Sequence, residues 1–173
     1  MTSFTIPTIE TERLILRAPH EGDLDAQAAF FQSDRSAAFG GPSDRSDVWR
    51  ALMRGAGHWV IRGYGMWYIE DKATGKTAGW AGIIHHIEWP EPELAWTVFD
   101  GFEGKSIAFE AANAARDFAN TKQGFGPLIS LIAPDNIRSI ALAERLGATL
   151  EGETEVMGQK SLIYRHPKIE EAA

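Results

Sequence analysis

The sequence predicts an α+β domain built on a mixed sheet. Three observations carry this expectation. Short apolar or alternating runs recur before, between and after segments with helical spacing. Three strand-like runs in the middle follow one another with no helix between them, which is unlike a regular βαβ array. A further pair of strands follows the last helix in the same way. The expected order is strand, two helices, three strands, helix, strand, helix, two strands. That makes about seven strands and about four helices in one domain spanning residues 1–173.

Each element has a local reason. Arg13 to Arg17 (RLILR) is a short, well-bounded first strand. His20 to Gln32 places Leu24, Ala28 and Phe31 at helical spacing behind acidic first-turn residues. After the break at Gly40-Gly41-Pro42, Ser43 or Asp44 caps a second helix reaching about Arg62, with Val48, Leu52 and Trp59 near one face. Strands follow at Met66 to Glu70, Thr77 to Ile87 and Glu93 to Phe99. A turn at residues 71–75 separates the first two, and the prolines of Trp89-Pro90-Glu91-Pro92 keep that loop out of the sheet. The long helix from about Gly104 to Asn120 has an apolar stripe of Ile107, Ala111, Ala114, Ala115 and Phe118. Leu128 to Ile132 is a short buried strand. Pro134-Asp135-Asn136 opens the last helix, Gly147 closes it as a left-handed cap, and strands near 149–156 and 161–165 end the chain.

Composition narrows the function. The 173 residues are 44% hydrophobic and 24% charged, as in a water-soluble globular protein, and no apolar run is long enough to cross a bilayer. The N-terminal stretch lacks the pattern of a secretory leader. With no cysteine there is no disulfide, thiolate zinc site or cysteine nucleophile, and a reducing cytoplasm is the expected location. No His or carboxylate spacing suggests a metal, since the adjacent His85 and His86 would face opposite sides of a strand. A net charge of −7 argues against nucleic acid as a partner. A homodimer is compatible with the sequence.

Gly104-Lys105-Ser106 ends like a nucleotide-binding P-loop, but the position five residues before Gly104 is Phe99 and not the required glycine. The physical basis of such a loop survives. A strand ends, small residues follow, and a long helix opens with unpaired N–H groups and the positive end of its dipole, which together attract an anion. Gly104, Ser106 and Ala108 are small enough for close backbone approach, and Lys105 adds charge at the rim. An ordinary helix start with a solvated lysine would look the same on these residues alone.

The flanking residues carry a resemblance. Glu93 to Val98, followed by Phe102-Glu103-Gly104-Lys105-Ser106-Ile107-Ala108, resembles the acetyl-CoA segment of the GNAT acetyltransferases. Pro134-Asp135-Asn136-Ile137-Arg138-Ser139, then Arg145-Leu146-Gly147-Ala148 and Leu150-Glu151-Gly152, is similar to that family's second signature. Together with Thr11 to Arg17, these motifs look most like the ribosomal-protein N-terminal acetyltransferase branch (RimJ/RimL-like), and the likeness covers nearly the whole chain. The sequence departs from the family pattern where Arg or Gln is replaced by Glu103 and a glycine by Ser106. A glutamate there would weaken cofactor binding unless it turns to solvent.

The resemblance implies a sheet that splays between its fourth and fifth strands. Acetyl-CoA would lie in the gap, its pantetheine arm paired with the backbone of Thr97 and Val98 and its pyrophosphate on the N–H groups of Glu103, Gly104, Lys105, Ser106, Ile107 and Ala108. Asn136 would bond the pantetheine arm; it can also cap the helix, as Asp135 can, and the two roles are compatible. The acceptor is expected to be a primary amine, a protein N-terminus or a small molecule, that attacks the thioester directly. Glu93 is the first choice for the base, with Glu70 and Glu88 as alternates. The three tyrosines, Tyr64, Tyr68 and Tyr164, are absent from the last helix. There Ser139 stands where the RimL-like branch places a serine near the leaving thiolate, although local bonding in the first turn is the other use for it. Among six tryptophans, Trp67 and Trp89 are the expected acceptor-pocket walls. A CoA-binding regulatory or catalytically degenerate module is the alternative.

Overall fold

A computed structural model describes residues 4–169. Its sheet has eight strands: β1 (Ile9–Glu10), β2 (Leu14–Arg17), β3 (Met66–Asp71), β4 (Lys76–Ile84), β5 (Glu93–Val98), β6 (Ile129–Ile132), β7 (Thr149–Val156) and β8 (Gln159–Arg165). Their spatial order is β1-β2-β3-β4-β5-β6-β8-β7. Every neighbouring pair is antiparallel except β5 and β6, which run parallel. The helices are α1 (Leu24–Phe31), α2 (Arg45–Arg62), α3 (Ile107–Lys122) and α4 (Ile137–Arg145). This is the expected α+β mixed sheet. The eighth strand, β1, is two residues long and too short to show alternation in sequence.

The core lies on both faces of the sheet. On one face α3 buries Ala111, Ala112, Ala115 and Ala119 against Leu14, Leu16, Ile69, Ala81, Ile83 and Leu94. Four alanines bring the helix axis close to the strands at little side-chain entropy cost. On the other face Phe30 and Phe31 of α1 meet Val48, Phe99 and Trp80 in an aromatic cluster. A smaller cluster of Ile132, Ala143, Ala148 and Tyr164 holds α4 to β6 and β8. Among the described residues no helix is long and apolar enough to cross a membrane.

Several boundaries differ from the sequence expectation. The long helix begins at Ile107, not Gly104, because Gly104 and Ser106 adopt left-handed backbone with φ of 71° and 59°. The segment expected to be one helix from His20 starts with a 3-10 turn at Glu21–Asp23 before α1. The strand expected to reach Ile87 ends at Ile84, and Ile87 is exposed in the following loop. Asp44 caps α2 by accepting the Asp47 N–H at 2.8 Å, and Gly147 has φ of 83° behind α4.

The sheet forks between β5 and β6. Strand β5 pairs with β4 along its whole length, from Gly79 opposite Val98 to Ile84 opposite Glu93. It meets β6 only where Glu93 lies opposite Ile129.

Candidate functional site

Side chains hold the fork open at its root. A continued parallel ladder would bring the Leu131 N–H to a β5 carbonyl. Instead that N–H donates to the Glu93 carboxylate at 3.0 Å. The other Glu93 oxygen accepts the indole N–H of Trp89. Glu93 is only 7% exposed, and burial pushes its carboxyl up to about 7 while these two donors pull the other way. The Leu94 carbonyl, which faces β6, accepts the Ser130 hydroxyl at 2.6 Å. With its proton committed to Leu94, the Ser130 oxygen accepts the Nε2–H of buried His166 at 2.9 Å. Burial, and then the neighbouring Arg116 charge, lower the His166 imidazole to about 4, so it is neutral.

Backbone alternation determines what the gap offers. Leu94 turns its carbonyl toward β6, so Trp96 and Val98 turn the same way and Thr97 turns toward β4, its partner there being Trp80. The Phe99 N–H bonded to the Ala78 carbonyl at 2.8 Å fits this alternation. The expectation that Thr97 lends backbone groups to the gap is therefore corrected by one residue. Its hydroxyl also points back to the Trp96 carbonyl at 2.8 Å, and the residue is buried. The Val98 carbonyl accepts the Arg35 guanidinium at 2.9 Å. Past Glu93, among the described residues, no strand lies opposite the N–H groups of Trp96 and Val98, and they open into the fork.

The gap leads to the start of α3. The helices α2 and α4 have capping side chains, but Ser106, at the N-cap of α3, makes no such bond. The first-turn N–H groups of Ile107 and Ala108 therefore have no partner within the helix. The loop is tightly organised. Glu103 does not turn to solvent. It accepts the Gly101 N–H at 2.7 Å and pairs with Arg35 at 2.7 Å. Lys105 folds back, donating to the Gly101 carbonyl at 2.7 Å with its ammonium 5.5 Å from the Phe102 ring. Arg145 of α4 reaches the Ser106 hydroxyl at 3.3 Å and lies 3.9 Å over the Phe109 ring. Cavities of about 440 Å³ flank the loop. One is lined by residues including Phe99, Asp100 and Phe102, the other by residues including Arg13, Ser106, Phe109 and Arg145.

Beyond β6, Asn136 caps α4 by accepting the Ser139 N–H at 3.2 Å. Among the described residues no hydrogen bond engages the Asn136 amide N–H groups or the Ser139 hydroxyl. Glu93 and Ser139 stand at opposite ends of β6, one beside Ile129 and the other in the helix after it. Trp89 is half-buried against Glu93 and edge-on to His86 at 4.8 Å. Trp67 is not a pocket wall. It is fully buried, packed on Trp59 at 4.7 Å and Phe118 at 5.7 Å, with its indole N–H on the Pro7 carbonyl at 2.7 Å. Of the alternate bases, Glu70 is tied to Arg17 at 2.7 Å, and Glu88 is exposed. Among the described residues no group of three or more His, Asp or Glu side chains is placed to hold a metal ion.

Sequence reasoning missed Arg35, Trp96 and Ser130. Ser130 carried a signal, being the one polar residue in the run LISLI. Arg35 carried none, since its 3-10 turn (Asp34–Phe39) has no helical periodicity.

Comparison with known proteins agrees with this geometry. The family described as "Acetyltransferase (GNAT) domain" matches residues 13–149. The crystal structure of an acetyltransferase from Agrobacterium tumefaciens str. C58 is 37% identical, covers 96% of this chain and 97% of its own, and superposes with a TM-score of 0.85. A structure from Bordetella pertussis, described as a GnaT-family acetyltransferase, is 25% identical over 93% of this chain and 99% of its own, with a TM-score of 0.80. The protein YkkB of Bacillus subtilis (strain 168) is 37% identical over 90 residues. That match takes in 50% of this chain and spans about half, 52%, of the length of YkkB.

Proposed function

The chain belongs to the GNAT acetyltransferase family, and from that premise we propose that it is a single-domain, acetyl-CoA-dependent N-acetyltransferase whose acceptor is a primary amine. The observation that carries the reading is the fork itself. The free N–H groups of Trp96 and Val98 run toward the uncapped start of α3, forming a path of unpartnered donors. A pantetheine arm fits the first part as an added strand, through Trp96 and Val98. A diphosphate fits the second, on the N–H groups from Glu103 to Ala108. Asn136 has amide N–H groups left to bond the pantetheine arm.

Acetyl-CoA supplies the activated acetyl group as a thioester; the chain's residues supply orientation and proton handling. A free alkylamine has a pKa near ~10.4 and must lose a proton to attack. Glu93, poised at about 7, suits the base through a water, with the half-buried Trp89 on one of its oxygens. The Trp96 N–H, nearer the root of the fork, is the donor available to a carbonyl oxygen that gains charge during the reaction, which leaves the Trp96 carbonyl and the Val98 N–H to the pantetheine arm. The Ser139 hydroxyl is free to donate a hydrogen bond to the departing thiolate. The Asn136–Ser139 signature favours the RimJ/RimL-like branch, with a protein N-terminus or a small amine as acceptor. The reading places the chain in the cytoplasm, and a homodimer is compatible with it.

Two observations favour a CoA-binding module without turnover: both Glu93 oxygens already carry donors, and no tyrosine lies on α4. A thiol-release assay over amines and peptides separates the two readings. Acetyl-CoA and CoA should each raise the melting temperature, and at least one amine should release free CoA. Binding without release across a broad panel would favour the module. Stabilisation by ATP but not by CoA would end both.

A further inference from the structure

The loop between β5 and α3 carries two carboxylates, Asp100 and Glu103, just before the helix start that must receive an anion. Left bare, they would oppose it. A single residue from outside the sheet meets both. Arg35 pairs with Asp100 and with Glu103, the latter at 2.7 Å. Its Nη2 donates to the Val98 carbonyl at 2.9 Å, and the guanidinium carbon lies over the Phe30 ring, 5.6 Å from its centroid. These side chains are about one-third to one-half exposed, so the cluster lies at the protein surface. The loop's own cation, Lys105, donates to the Gly101 carbonyl, and the ion pairs of both acids are with Arg35.

We infer that Arg35 is a positioning residue for the anionic ligand: by pinning the Asp100 and Glu103 carboxylates in ion pairs it keeps them from turning toward the start of α3, where a diphosphate must bind. This rests on the CoA-binding reading given above. The guanidinium acts through the two acids. Its effect on affinity should therefore vanish when the acids are replaced by neutral amides, which keep an acceptor oxygen for the Gly101 N–H.

Calorimetric titration with CoA of wild type, R35Q, D100N/E103Q and the triple variant R35Q/D100N/E103Q tests this. R35Q should weaken CoA binding about tenfold, whereas removing Arg35 from the D100N/E103Q background should change affinity by less than about twofold. An equal loss in both backgrounds would overturn the inference, because Arg35 would then be touching the ligand or merely shaping the loop. If R35Q does not fold, the comparison of D100N/E103Q with the triple variant still decides, since a tenfold gap there contradicts the proposal. Wild type that binds CoA while R35Q binds equally well overturns this inference alone. Wild type that fails to bind CoA overturns it together with the reading beneath it.

Discussion

The Glu93 carboxylate accepts the Leu131 backbone N–H at 3.0 Å across the mouth of the fork. A side chain thus occupies the place of a ladder bond, and the strands part just beyond it. The same carboxylate is buried and holds its proton unusually well, to about pH 7. One residue therefore combines a structural wedge with a group able to exchange protons near neutrality.

Replacing Glu93 with Gln removes the titrating group and keeps one of the two accepting oxygens, so the chemistry should suffer more than the wedge. In the wild type, acetyl transfer should rise with pH through about 7 as the carboxyl ionises. The Gln variant should lose that limb and fall about 10²-fold in rate. Stability gives a second readout. The folded chain keeps this proton up to about 7, whereas an unfolded glutamate loses it near ~4.3, so this residue's contribution declines as pH rises between those values. Melting temperatures across that window should fall less steeply with pH in E93Q. An unchanged slope would mean that Glu93 titrates normally.

Ser130 serves two partners at once, donating to Leu94 O and accepting from His166 Nε2. Ser130→Ala strands a buried carbonyl and a buried imidazole N–H together. The expected loss is about 2–3 kcal/mol of unfolding free energy, read by denaturant titration. A loss below about 0.5 kcal/mol would show that water replaces the hydroxyl, and so that the fork root is wet.

Much of this was legible because its causes are local. The alanine stripe of α3, the cap at Asn136 and the left-handed turn at Gly147 are each specified within a few residues. The order of elements follows from them. What escaped depends on distant partners. Trp67 reads as a pocket wall until Pro7, Trp59 and Phe118 close around it from three other parts of the chain. Thr97 and Trp96 exchange roles on a one-residue question of which backbone groups face β4, which sequence pattern does not answer. The direction of Glu103 is set by Arg35, 68 positions away by numbering, in a turn with no periodic signal.

Ser139 and Asn136 share a hydrogen bond but should fail differently. Asn136→Ala removes the cap of α4 and should cost about 1 kcal/mol of stability, with weaker CoA binding. Ser139→Ala leaves that bond intact, because the donor is its backbone N–H. It should slow turnover with little change in melting temperature or CoA affinity. Steady-state rates beside titration of CoA distinguish the two, and an unchanged rate would remove Ser139 from the chemistry.

Gly79 controls how closely β4 approaches the strand that bears the fork. A Cβ built there would stand 2.0 Å from the Thr97 carbonyl oxygen and 3.0 Å from Val98 Cα, both backbone atoms that no rotamer change can move aside. Its φ of 151° adds strain for any side chain. Gly79→Ala must therefore push β5 away from β4, toward the gap into which Trp96 and Val98 open. The expected result is a loss of about 3 kcal/mol or more, with CoA binding falling further than stability alone explains. Titrating CoA at a temperature where the variant is still folded checks the second part. Native affinity in a folded G79A protein would show that the fork tolerates a shift of β5, against the close registry described for it.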